Sequence, residues 1–251
     1  MDINEPAHDI TREARINDAF VRVAGTLIES YDVVELLSTL LDTCTDLLDV
    51  QAGGILLADI TGALELVAST SEEAEIVEIM TVAAGAGPCI ESYDTGTVVS
   101  VPDIDANAPT WPRFRKTALE QGFRSAHATP LRLHGHVIGV MNLLGTKPGA
   151  LSERDAQLAQ ALTDVATIGI LHERTFRQPE VVAAQLHLAL DTRILVEQAK
   201  GVLAQSHTLT MTEAFTALRE HAHKQGVTLR AAAEGVIGRT TSIESMATPT
   251  T

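Results

Sequence analysis

Five basic side chains in the last third of the chain are spaced so that they could meet on one surface. They are Arg193, Lys200, Arg219, Lys224 and Arg230. Arg193 and Lys200 lie seven residues apart with Glu197 between them, so all three share one face of a helix. The others fall on two further predicted helices. If the three helices pack as a bundle, the five side chains form a basic ridge, and such a ridge binds phosphates.

The same pattern also fits a solvated helix face that carries ordinary ion pairs, and this alternative stays open. Phe215 is the only aromatic residue in the segment 179–240, and its spacing places it on the core face of its helix. A surface that stacks bases on aromatic rings is therefore excluded. A nucleic acid would be bound through its phosphates and its shape.

A second candidate for chemistry is the thiol of Cys89. It follows Gly87-Pro88 near a predicted helix N-terminus, where a thiolate is favoured, so it is a candidate redox or electrophile sensor. The alternative is a small, buried, apolar side chain. The other cysteine, Cys44, lies on the core face of a predicted helix, and two cysteines make no disulfide framework.

Neither a metal site nor a catalytic motif is complete in the sequence. His134 and His136 flank Gly135, with His127 nearby, but no cysteine or aspartate completes a ligand set at a recognised spacing. The chain has no Gly-x-x-x-x-Gly-Lys phosphate loop, no Gly-x-Ser-x-Gly elbow and no His-Glu-x-x-His motif. We therefore expect no metal and no enzymatic activity.

Charge is distributed unevenly along the chain. The net charge is -15; residues 180–251 contain six basic and seven acidic residues, which leaves -14 for residues 1–179. An acidic surface repels polyanions, so any contact with nucleic acid is expected in the near-neutral C-terminal part. No apolar stretch approaches the roughly 18 residues of a membrane span, and the polar N-terminus is no secretory signal. The sequence therefore predicts a cytoplasmic protein without a membrane segment.

Hydrophobic periodicity predicts an α+β domain followed by helices alone. The predicted helices of the first part are 12–29, 33–48, 72–80, a short one at 89–93, 113–121 and 153–177. The predicted strands are 54–58, 64–68, 97–101, 125–133 and 136–145. Pro130 implies an edge position or a bulge in its strand. Three helices follow: 181–205, one opened by a Thr210/Glu213 capping box, and Leu229–Ile237.

Residues 12–177 resemble a GAF domain, in the form common in actinobacterial regulators. The resemblance rests on Gly87-Pro-Cys-Ile-Glu-Ser-Tyr-Asp-Thr-Gly96, Asp103-Ile104, Trp111-Pro-Arg-Phe114, Gly122-Phe-Arg-Ser125, Pro130-Leu-Arg-Leu133 and Ile138-Gly-Val-Met-Asn-Leu143. It implies an antiparallel sheet flanked by helices, with a small-molecule pocket lined by Cys89, Tyr93, Asp103, Trp111 and Phe114. Packing of Trp111 under a loop is the simpler alternative. The ligand, and any cofactor, is not identified by these residues.

Residues 186–233 resemble an ANTAR domain, the three-helix RNA-binding module of transcription antiterminators. The matching residues are Ala189-Leu190, Arg193, Val196-Glu-Gln-Ala-Lys-Gly-Val-Leu203, Glu213-Ala-Phe215, Leu218-Arg219 and Ala222. The resemblance implies binding to hairpins in a nascent leader RNA, which prevents a competing terminator from forming; the predicted basic ridge would then be the surface that contacts them. It also implies a protein dimer.

The sequence thus predicts a disordered tail at 1–11, a GAF sensor at 12–178, an ANTAR domain at 179–240 and a disordered tail at 241–251. The exit helix 153–177 is expected to pair with helix 12–29 or with its copy in a second chain, giving a homodimer. The main alternative is a GAF dimer that acts as a ligand-controlled protein-interaction module without RNA. A third hypothesis is a sulfoxide reductase that uses Cys89.

Overall fold

The computed structural model describes residues 6–29, 32–59, 61–106, 110–133, 135–170 and 179–238. Within these ranges the first part of the chain forms one sheet with helices on both faces, and the last part is helical. The chain is therefore α+β, as predicted from its change of hydrophobic period. Among the helices of the described ranges, none has the length and apolarity that crossing a bilayer requires.

Five antiparallel strands form the sheet in the order β2-β1-β5-β4-β3. They are β1 (Ala52–Ala58), β2 (Leu64–Ser69), β3 (Val99–Val101), β4 (Ser125–Leu133) and β5 (His136–Gly145). Pro130 lies opposite Val140, past the three residues of β4 that pair with β3, and the register with β5 shifts between Leu131 and Arg132. Proline has no N–H to donate, so it fits at this end of β4, where the strand has no partner on the β3 side and its register with β5 is irregular. This agrees with the predicted edge position or bulge.

Helices cover both faces of the sheet. They are α1 (Pro6–Glu29), α2 (Val33–Leu47), α3 (Glu72–Ala84), α4 (Pro88–Thr95), α5 (Pro112–Glu120) and α6 (Glu153–Ile170). α2 and α6 pack on one face, with α1 against both; α3 and α4 pack on the other, with α5 against α3. The central strands are therefore buried on both sides. A Cβ on Gly139 would lie 2.3 Å from the carbonyl oxygen of Leu56, which explains the glycine there.

Three C-terminal helices pack against one another and against the sheet domain. They are α7 (Pro179–His207), α8 (Met211–Gln225) and α9 (Leu229–Ile237). α7 also contacts β2 and α2, and one apolar core runs from the α2 face of the sheet into the bundle. The docked bundle and the sheet domain thus share buried surface, which sequence periodicity alone does not reveal.

Element ends differ from the prediction in a few places. α1 begins at Pro6, inside the segment 1–11 that was expected to be disordered, because proline is well suited to the first turn of a helix. α6 is described to Ile170, so the end of the predicted helix 153–177 lies outside the described residues, as does the predicted C-terminal tail.

The predicted capping box is confirmed at the start of α8. The Thr210 hydroxyl accepts from the Glu213 N–H at 3.2 Å, and a Glu213 carboxylate oxygen accepts from the Thr210 N–H at 2.8 Å. Thr210→Ala is expected to lower the free energy of unfolding by about 1 kcal/mol, because the first turn loses an acceptor. Urea unfolding measures this. Thr216→Ala, an exposed change within the same helix, is the control; an equal loss in both variants would contradict the assignment.

Candidate nucleic-acid interface

Two basic residues of α7 lie on the side of the bundle that faces the sheet domain. The Arg193 Nη2 atom lies 2.8 Å from Glu75 Oε1, and its Nη1 atom donates to the carbonyl oxygen of Leu66. The Lys200 Nζ atom lies 2.9 Å and 3.0 Å from the two carboxylate oxygens of Glu197. The two side chains are only 17% and 13% exposed. Arg193 and Lys200 therefore share one face of α7, as predicted, and that face packs toward the sheet domain rather than being exposed to solvent.

α8 places Arg219 beside them. Its Nη1 atom lies 2.7 Å from Asp42 Oδ2 in α2. The ring of Phe215 lies between two of these cations: its centroid is 6.0 Å from Lys200 Nζ and 5.9 Å from Arg219 Cζ, within cation–π range. We call Arg193, Lys200 and Arg219 the basic cluster. Phe215, which lies near Lys200 and Arg219, is partly buried and packs against the core.

The other two predicted residues are less enclosed. Lys224 is 67% exposed and its Nζ atom lies 3.4 Å from Glu220 on its own helix. Arg230 pairs through Nε with Glu234 Oε1 at 3.0 Å, and its backbone N–H donates to Asp32 Oδ2 at 3.1 Å. All five predicted basic side chains thus have a carboxylate partner within the chain.

The partners from the sheet domain were not singled out by the sequence. Asp32, Glu35 and Asp42 lie on α2 or at its N-cap, and Glu75 lies on α3. Glu35 is buried, and its Oε1 atom lies 2.7 Å from Nε2 of His223 in α8. Burial raises the pKa of the Asp32 carboxyl, against the backbone N–H donors that lower it. We call these four residues the acidic face. The available signal was the net charge of -14 carried by residues 1–179, which on its own predicted only that this part of the chain repels polyanions.

The predicted ligand-pocket residues gather on the opposite face of the sheet, with one exception. Cys89 and Phe114 are buried, Tyr93 and Trp111 are partly buried, and all four belong to the core under α3, α4 and α5. The Trp111 and Phe114 rings meet edge to face with centroids 6.3 Å apart. Asp103 instead accepts from the N–H groups of Asp105 and Ala106, so it shapes the loop after β3.

A buried carboxyl group lies in that core and was missed. Glu78 is 0% exposed, and both of its carboxylate oxygens accept from Asn142 Nδ2, at 2.9 Å and 2.8 Å. Burial raises its pKa to about 7, and its hydrogen bonds with Asn142 and Cys89 oppose that rise. Ala74, Val77, Glu78 and Thr81 are the buried positions of α3. Their helical spacing was the signal, because it puts Glu78 on the apolar stripe.

Cys89 is expected to be unreactive in the folded protein. Its side chain is 0% exposed, and burial, together with the charge of Glu78, raises its thiol pKa well above the ordinary value. In a labelling time course with a maleimide, Cys89 should react no faster than Cys44, whose burial raises its pKa to about 12. Both should react once urea unfolds the chain. Rapid modification of Cys89 alone would instead favour the redox sensor.

The structure describes only some of the histidines considered for a metal site. His127 is buried and its pKa is lowered by desolvation, and His134 lies outside the described residues. Within the described ranges no three His, Cys, Asp or Glu side chains are grouped so that they could hold a metal ion.

The described residues thus form a five-stranded antiparallel sheet with helices on both faces, followed by a small helical bundle. Residues 30–170, more than half of the chain, match the family model of the GAF domain, so the chain belongs to the GAF-domain family. Residues 184–237 match the model of the ANTAR domain. The chain is a GAF domain followed by an ANTAR domain; both are regulatory domains.

Solved structures show the same fold for the first domain. It resembles the GAF domain of a phosphoenolpyruvate-protein phosphotransferase from Coxiella burnetii, with 12% identity, a TM-score of 0.50, and coverage of 63% of this chain and 94% of that one. The corresponding GAF domain from Acinetobacter is 16% identical, with a TM-score of 0.49 and coverage of 62% of this chain and 92% of that one. Free methionine-R-sulfoxide reductase from Neisseria meningitidis is 19% identical, with a TM-score of 0.47 and coverage of 61% of this chain and 87% of that one. These likenesses concern the fold alone. A comparison with the curated proteins found no match.

Proposed function

We propose that the protein is an RNA-binding transcription antitermination regulator. Its ANTAR domain binds hairpins of nascent leader transcripts, and its GAF domain senses a small molecule or a redox signal and controls that binding. The observation that carries the proposal is the basic cluster within the segment that matches the ANTAR domain: Lys200 and Arg219 lie within cation–π range of Phe215, and Arg193 lines the same small cavity as Lys200 and Phe215. Cations grouped in this way suit a phosphate backbone, and the single enclosed aromatic ring favours recognition of shape over base stacking.

The proposal includes a cytoplasmic location, no enzymatic activity and a homodimer. α1 and α6 pack on each other within one chain, and each also exposes an apolar side chain, Val21 at 71% and Ile168 at 61%. A second copy that pairs through these helices would cover both. Sedimentation should show a dimer at micromolar concentration; a monomer both with and without RNA would contradict this part.

The second candidate is a GAF dimer whose helical bundle contacts a partner protein and binds no RNA. One observation favours it, namely that each of the five predicted RNA-binding cations already has a carboxylate partner. The ANTAR match and the convergence of the basic cluster favour RNA. The sulfoxide-reductase hypothesis is the weakest of the three, because Cys89 is buried and its thiol pKa is raised.

Crosslinking the protein to RNA in cells, followed by sequencing of the bound fragments, tests the choice. The expected result is enrichment of leader segments that carry two adjacent hairpins. An Arg193→Ala/Lys200→Ala variant at the same protein level is the control and should lose that enrichment. Recovery of proteins but no enriched RNA from the crosslinked wild type would favour the protein-interaction module.

A further inference from the structure

The docking contact between the two domains uses the side chains that the proposed function assigns to RNA. Arg193 pairs with Glu75, and Arg219 pairs with Asp42, at 2.8 Å and 2.7 Å. Lys200 lines the small space between the domains, a cavity of about 50 Å³ that Glu75 also lines. The ion pairs of the contact therefore join Arg193 and Arg219 of the basic cluster to Glu75 and Asp42 of the acidic face.

A basic side chain held in this way cannot bind a phosphate at the same time. Both terminal nitrogens of Arg193 are engaged, one by Glu75 and the other by the Leu66 carbonyl of β2. Only 17% of its side chain is exposed, which leaves no room for an RNA backbone to approach. Carboxylates and phosphates compete for the same guanidinium geometry. RNA binding through the basic cluster thus requires the bundle to leave the sheet domain.

We propose that the acidic face is a built-in competitor of RNA, so that the docked conformation seen here is closed to RNA and an undocked one is open. This inference rests on the proposed function, since it describes how the same site is regulated. Glu75 and Asp42 occupy the positions that RNA phosphates take in the open state. The two states exchange through breakage of the ion pairs and separation of the shared core.

α3 connects this contact to the candidate sensor pocket. Glu75 at its first turn holds Arg193, and Glu78, three residues further, reaches Asn142 of β5 and Cys89 of α4 in the core of the sensor domain. A ligand that displaces α3 from this core also moves Glu75. The equilibrium between docked and undocked states then shifts by the difference in ligand affinity for the two.

The test removes the competitor without touching the bundle. Asp42→Asn/Glu75→Gln keeps every basic residue in place and neutralises both carboxylates. Glu73→Gln/Asp94→Asn is the control. It removes the same charge from exposed positions outside the ion pairs that join the two domains.

The affinity of the full chain for a synthetic RNA with two adjacent hairpins is measured by mobility shift at low salt. The first variant should bind about tenfold more tightly, since two partly exposed ion pairs together contribute on the order of one tenfold step. The control should bind as the wild type does.

The outcomes separate the competitor from the proposed function. Equal affinity of the wild type and both variants overturns the competitor and leaves RNA binding intact. Equal gains in both variants overturn it too, because they reflect general charge repulsion. Absence of binding in all three overturns the proposed function. Asp42→Asn alone, a change at a side chain that is 42% exposed, preserves the fold and should give a smaller gain in the same direction.

Discussion

Arg193→Ala/Lys200→Ala is expected to weaken binding of hairpin RNA about 100-fold. Each change removes one charge-assisted hydrogen bond to a phosphate, and two such bonds together contribute about 3 kcal/mol. The measurement is best made in the Asp42→Asn/Glu75→Gln background, because Arg193 no longer has Glu75 as a partner there. The dependence of log affinity on log salt should also become shallower by about two units, because two phosphates are no longer neutralised by the protein.

The matched control for this result is Arg113→Ala/Lys116→Ala. It removes two charges from exposed positions on α5, which lie outside the basic cluster and outside the ion pairs that join the two domains. Its affinity should stay within about twofold of the parent, since exposed charges that do not contact the RNA are screened by salt. If both double variants lose affinity equally, net charge alone explains the loss and the basic cluster is not the RNA-binding site.

Glu78→Gln is expected to flatten the pH dependence of stability and to stabilise the protein above neutrality. The pKa of Glu78 is about 7 in the folded protein, against 4.5 for an ordinary glutamate. Between these values the folded state binds more protons than the unfolded state, so the free energy of unfolding falls as the pH rises. The loss amounts to about 3 kcal/mol at pH 8, and it is fully regained only below pH 4.5.

Glutamine at position 78 carries no charge and keeps an oxygen that accepts from Asn142 Nδ2. The variant should therefore match the wild type near pH 5 and exceed it by about 3 kcal/mol at pH 8 in urea unfolding. His127, whose pKa is lowered, acts oppositely below its ordinary 6.5, but it is common to both proteins and cancels in the difference. Glu73→Gln on the same helix is the control. If the free energies of unfolding of Glu78→Gln and the wild type differed by the same amount from about pH 5 to about pH 8, the raised pKa of Glu78 would be contradicted.

Local patterns in the sequence were sufficient for much of the fold. Strands 125–133 and 136–145 were predicted with the observed ends, because a glycine turn separates two long apolar runs. The start of α8 was predicted correctly, because the capping box of Thr210 and Glu213 specifies it by its own chemistry. These features depend on neighbours along the chain, so no knowledge of packing was needed.

The missing parts of the candidate site depend on contacts between distant residues. Glu78 meets Asn142 across 64 positions, and Arg219 meets Asp42 across 177. No periodicity encodes such pairs. The sequence placed Arg193 and Lys200 on one helix face correctly, but whether water, RNA or the other domain covers that face is decided by tertiary packing. The ligand-pocket residues, including Tyr93, and the contribution of all five basic residues to RNA binding remain predictions.

A titration of the full chain with two RNAs of equal length and base composition tests the central claim most directly. One RNA carries two adjacent hairpins, and the other is scrambled so that it forms no stem. At low salt, and with two carboxylates of the acidic face neutralised by Asp42→Asn/Glu75→Gln, the hairpin RNA should bind at least about tenfold more tightly than the scrambled RNA, and both affinities should fall as salt rises. Equal affinities for the two RNAs, or no binding of either, would contradict recognition of structured RNA by this protein.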